Sequence, residues 1–206
     1  MSRRLNMWGF SLAKMRGLLG SRDRAAVQQL QYRLAEKYGY LPEEQRKAID
    51  GSVERAVMEG VPFRELEAEN FCHSVAAELL STHGQELLFT DASDYHGTAL
   101  EDGLWGQYRK HAGPETRAFL RGLMEGIPLF GSRAPTDGSA YAAISLAKLR
   151  GIQRGLRDLA EQIAYRVGRK QLASSDDKAG VEFADAFCGW VDQIVKAERD
   201  LWSVFA

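Results

Sequence analysis

Apolar positions recur along this chain at two spacings, and the changes from one to the other mark its elements. Leu5–Phe10 (LNMWGF) is short, apolar and aromatic, which predicts a strand weakened by Gly9. Ser11 stands where a helix N-cap belongs, before LAKMRGLL, and Gly20 is placed to end that short helix. Ser21 and Asp23 open a second helix with Ala26, Val27, Leu30 and Leu34 on one face, closed by Gly39 and Pro42. Pro42-Glu43-Glu44 opens another. Proline costs nothing in a first turn, and carboxylates complement the helix dipole there. Its apolar positions are Ile49, Val53 and Val57, and it should stop near Gly60. A long helix is expected over residues 64–82, with Leu66, Phe71, Val75, Leu79 and Leu80 inward and Gly84 as its stop.

The second half reads in the same way. Residues 86–90 (ELLFT) suit a buried strand, and a polar loop follows at residues 91–97. Thr98 and Glu101 have capping-box spacing before a helix carrying Leu100, Leu104, Trp105 and Tyr108. Gly113-Pro114-Glu115 starts a helix that ends near Gly126, and residues 127–130 suit a short strand. Residues 131–139 (GSRAPTDGS) form the clearest turn or linker in the chain. After a strand at residues 141–144, Ser145 caps a long helix with a stripe of Leu146, Leu149, Ile152, Leu156, Leu159, Ile163 and Val167. A polar break at residues 174–177 precedes a last helix, whose apolar end (Leu201, Trp202, Val204, Phe205) should dock on the domain. These elements predict one globular domain over residues 1–206. Its expected class is α+β, predominantly helical, with a small sheet of three or four strands. All-α is the competing reading, because every expected strand is short.

One pattern is internal. Ser11-Leu12-Ala13-Lys14-Met15-Arg16-Gly17-Leu18 recurs as Ser145-Leu146-Ala147-Lys148-Leu149-Arg150-Gly151-Ile152, and each change exchanges one apolar residue for another. Each copy follows an expected strand, so the unit is strand, capping serine, helix. The plain explanation is one strand-to-helix turn solved twice by the same chemistry. A functional explanation makes Lys14, Arg16, Lys148 and Arg150 a basic patch for an acidic partner.

Composition narrows the function classes. The 206 residues are 45% hydrophobic and 27% charged, the balance of an ordinary globular chain. A net charge of -1 offers no excess of cations for phosphates, so general nucleic-acid binding is not expected. No run approaches the ~20 apolar residues of a membrane span. Lys14 and Arg16 interrupt what would be a secretory signal, so the cytoplasm is the expected compartment. Cys72 and Cys188 sit in apolar helical sequence and read as buried, reduced thiols.

The chain shows no phosphate loop, dinucleotide fingerprint, nucleophile elbow, paired-cysteine zinc pattern or HExxH. Cys72 and His73 are adjacent on a helix and point about 100° apart, so they make no nucleophile–base pair. Trp8, Trp105, Tyr108, Trp190 and Trp202 fall at core-like positions and do not alternate with cations. The polar loop is the one candidate for chemistry. Asp91, Asp94 and His96 have the side chains to hold a cation or move a proton, with Tyr95 and Glu101 near in sequence. Aspartate, serine and Gly97 also make turns for local reasons, and the expectation is a turn with neither metal nor cofactor.

The opening MWGFSLAKMRGLLGSRD resembles the start of an uncharacterised family of small bacterial cytoplasmic proteins, and FCHSVAAELLSTHGQEL resembles that family's middle helix. The resemblance implies a strand leading into a short helix and a glycine-ended turn. It carries no activity and no catalytic residue. Small proteins of this build include immunity proteins that neutralise toxins. The expected function is a non-enzymatic protein-binding module, of immunity or regulatory type, with a protein partner. A small enzyme using residues 91–96 is the alternative.

Overall fold

The computed structural model describes residues 5–61, 90–91, 112–127, 140–169 and 175–205. The expected helix over 64–82, the capping box at Thr98 and the turn at 131–139 lie outside them. The class is α+β, predominantly helical. Contacts divide the chain into two compact units, one built from residues 1–9, 88–127 and 139–206 and the other from residues 10–87 and 128–138.

The first unit holds the sheet. Its strands are β1 (Leu5–Phe10, whose last residue belongs to the other unit), β2 (Thr90–Asp91), β3 (Ala140–Ile144) and β4 (Asp200–Phe205), in the order β2-β1-β4-β3. β2 is antiparallel to β1, with Asn6 opposite Asp91, and β3 is antiparallel to β4, with Ile144 opposite Leu201 and Ala142 opposite Ser203. Of the strand expected at 127–130, Ile127 forms a parallel bridge with Ala142 of β3, and residues 128–130 lie outside the described residues.

β4 corrects the expectation for the apolar tail. Leu201, Trp202 and Val204 do not extend the last helix; they form an interior strand. Leu201 and Ser203 share a face with Ala142 and Ile144, and Trp202 on the other face stacks against Tyr141 at 5.7 Å. Aromatic and β-branched residues suit a pleated surface covered on both sides.

The long helix α5 (Leu146–Gly168; α1 to α4 are placed below) and α6 (Ser175–Lys196) join β3 to β4 and pack on each other. Ser175, Asp176 and Asp177 of the polar break open α6, and residue 174 lies outside the described residues. The stripe read from α5 is the buried one: Leu149, Ile152, Leu156, Leu159 and Ile163 join Phe183, Phe187, Val191 and Ile194 of α6 in one core. The helix α4 (Pro114–Glu125) adds Phe119, Leu120 and Leu123 to that core. Its Thr116 lies so close to Gly155 of α5 that a Cβ there would overlap Thr116 Oγ1.

The second unit begins with α1 (Leu12–Leu18), followed by α2 (Arg24–Tyr38) and α3 (Glu43–Glu54). Asp23 caps α2 by accepting from the amides of Ala25 and Ala26. The end of α3 runs on into a π turn over Arg55–Glu59. This departs from the plain α-helix expected to Gly60, and its cause is tertiary. Ala56 O accepts from Gly20 N at 3.0 Å and Val57 O from Arg22 N at 3.1 Å, so loop amides take carbonyls at the helix end. Gly20 and Gly60 meet there at φ +71 and +72, and a Cβ on either would press on the other's backbone at 3.4 Å.

Both serines of the internal repeat do what their position predicts. Lys14 N donates to Ser11 Oγ at 3.3 Å, and Lys148 N donates to Ser145 Oγ at 3.4 Å. The two helices differ in length, 7 residues against 23, so the likeness resides in the turn. Ser11→Ala and Ser145→Ala should each lose about 1 kcal/mol in urea melts; unchanged stability in both would contradict the capping. Gly155→Ala should lose about 1–3 kcal/mol by overpacking. Gly151→Ala, where nothing lies within 4 Å of a new Cβ, should gain about 0.5–1 kcal/mol. Equal melts for these two variants would refute the close α4–α5 contact.

Candidate functional site

The sequence-derived candidates fare differently. Asp91 does not begin a loop: it sits in β2, its backbone paired with Asn6. Asp94 and His96 lie outside the described residues, as do Cys72 and the other three histidines. Among the described residues, no three His, Cys, Asp or Glu side chains gather closely enough to hold a metal ion. No described helix is long and apolar enough to cross a membrane.

The four repeat cations are all exposed. In the first unit, Arg150 donates to Glu198 at 3.2 Å, so its charge is already matched by a surface carboxylate. Lys148 lies on the same helix. In the second unit, Lys14 and Arg16 stand on α1. Exposed cations beside a capped helix start fit a solvated face, and an exposed ion pair such as Arg150–Glu198 stabilises by only about 0–1 kcal/mol.

Cys188 is a free, half-buried thiol on α6, beside Phe187 in sequence. Burial pushes its pKa up to about 11, and the carboxylates of Asp192 and Asp185 act in the same direction, against Arg157. Asp192 is held by two donors from α5, Arg157 at 2.6 Å and Gln153 at 2.8 Å. That clamp ties α5 to α6 and leaves a weakly nucleophilic sulfur beside it.

Sequence reading missed the surface of α2. Its inward row is Ala26, Val27, Leu30 and Leu34; its outward row includes Arg24, Gln28 and Tyr32 at intervals of four residues. Tyr32 is 66% exposed, and Tyr40, in the turn after the helix, is 79% exposed. The Tyr32 hydroxyl donates to Glu36 at 3.0 Å. That hydrogen bond and the nearby charge favour the protonated phenol and push its pKa up from 10.0. The Tyr40 ring lies 6.4 Å from that of Tyr38, over which Lys37 sits at 5.5 Å. A helical wheel drawn on α2 would have shown an aromatic ring on its polar face.

Beside this row a groove of about 390 Å³ opens between α2 and the α3–π segment, lined by Arg24, Val27, Gln28, Gln31, Glu54 and Met58. Gln31 braces it by donating to Asp50 O at 3.2 Å. The adjoining backbone is strained: Arg22 is held at φ +62, a left-handed conformation that costs a non-glycine residue about 1–3 kcal/mol. No family model, curated protein or solved structure matches the chain.

The thiol yields a pH prediction. Its ordinary pKa is 9.0, and folding raises it to about 11. Between those values the unfolded chain loses this proton first, so the folded state loses stability as pH rises through that window. Below pH 9 the contribution is complete. Cys188→Ala should flatten the fall in urea stability between pH 9 and 11, and labelling of native Cys188 at pH 8 should be far slower than in urea. Rapid native labelling would contradict the burial.

Proposed function

We propose that the chain is a non-enzymatic protein-binding module, of immunity or regulatory type, and that the α2 surface of its second unit holds the partner. The observation that carries this is the pair of exposed tyrosines, Tyr32 on α2 and Tyr40 in the turn that follows it. Tyrosine covers a large area with only two side-chain torsions and offers a hydroxyl to a wet interface. Arg24 and Lys37 on the same helix add charges that steer encounter and fix register. The same proposal places the chain in the cytoplasm, where a free Cys188 stays reduced.

The test is calorimetric binding to the purified products of the genes flanking its own. One of them should bind with a Kd of about 1 μM or tighter. Tyr32→Ala and Tyr40→Ala should each weaken it roughly tenfold, the loss expected of an interface anchor, with circular dichroism and melting unchanged. Binding to none of these products would overturn the proposal. So would a His96→Ala variant that folds as its parent but loses a measured activity, which would return the polar loop to the centre.

A further inference from the structure

The α2–α3 groove has the form of a helix seat. Two rows of α2, Arg24–Gln28 and Val27–Gln31, run along one side, with Tyr32 one turn beyond Gln28, and the row Glu54–Met58 runs along the other. Residues four apart on a helix make a ridge, and two ridges with an open seam receive the ridge of a third helix. The floor is apolar at Val27 and Met58. Methionine is the side chain that best adapts its shape to an incoming one.

The seam carries two exposed charges of opposite sign, Arg24 and Glu54. Among the described residues, neither Arg24 nor Glu54 has an ion pair or side-chain hydrogen bond, although both line the seam. Arg24 occupies the first turn of α2, beside the Asp23 carboxylate that caps the helix. Alongside lie Arg22 at positive φ and the π turn that carries Met58. Two backbone irregularities fall within one short stretch of surface, the pattern expected where function constrains a fold.

We infer that this groove receives an amphipathic helix of the partner protein, which sets an aliphatic side chain between Val27 and Met58, a carboxylate against Arg24 and a cation against Glu54. Tyr32 then closes over one end of that helix. This rests on the protein-binding reading and specifies the partner's chemistry: an α-helix with one aliphatic anchor between two opposite charges.

The probe is a phage-displayed library of helix-forming peptides of about 15 residues, selected on the intact chain. Enriched peptides should share the acid–aliphatic–base pattern and shift the amide resonances of Gln28, Gln31 and Met58. Arg24→Glu should weaken them roughly tenfold, and changing the peptide's acid to lysine should restore binding to that variant. No enrichment, peptides mapping elsewhere, or indifference to the charge swap would overturn the inference. So would a dimer in sedimentation that Arg24→Glu dissolves, since the seam would then belong to a second copy of this chain. If the peptides fail while a flanking gene product still binds through Tyr32, the groove assignment falls and the protein-binding reading stands.

Discussion

The sheet depends on β4. This strand lies between β1 and β3, which come from distant parts of the sequence, and nothing else in the described sheet joins them. It also reaches beyond the sheet. The Asp200 carboxylate accepts from Leu146 N at 2.8 Å, so the residue that opens β4 covers a free amide at the start of α5, two residues before the Lys148 amide that Ser145 takes. Leu201 and Trp202, on opposite faces, are both buried. One face of the strand completes the core of α5 and α6; the other carries the Tyr141–Trp202 pair. Ser203 is paired poorly: its hydroxyl is buried and makes no hydrogen bond among the described residues, a local cost that the surrounding packing must exceed.

In the second unit the corresponding constraint is the meeting of Gly20 and Gly60. Close backbone contact brings the α1–α2 loop onto the end of α3, and the loop amides hold the π turn there. A π turn carries more residues per turn than an α-helix, so the side chains within it are re-aimed. Met58 and the groove beside α2 follow from that change. The surface assigned to binding is therefore tied to the left-handed Arg22 and the π turn rather than to a loop free to vary.

Features with local causes were legible in the sequence. Ser11, Asp23 and Ser145 were readable as caps because a cap needs only a short side chain and amides two or three residues on. The α5 stripe was readable because its period is that of a helix buried on one side. β4 was not. Its residues follow α6 closely, and a strand exists only through neighbours that local pattern does not name. The π turn was hidden for the same reason, since its cause lies at Gly20 and Arg22, some thirty-five residues earlier. Asp91 reads as loop in the sequence because the β2 boundary depends on pairing with Asn6. The groove needed two helices placed together, although Tyr32 on the polar face of α2 was visible from the start.

The central claim is that the second unit meets its partner through α2. Hydrogen–deuterium exchange of the chain, alone and with a flanking gene product that binds it, tests this most directly. The account predicts slowed exchange across Arg24–Tyr38 and the π turn at Arg55–Glu59, with β3 and β4 unchanged. Protection confined to β2 and residues 92–96, with α2 exchanging as in the free chain, would contradict it.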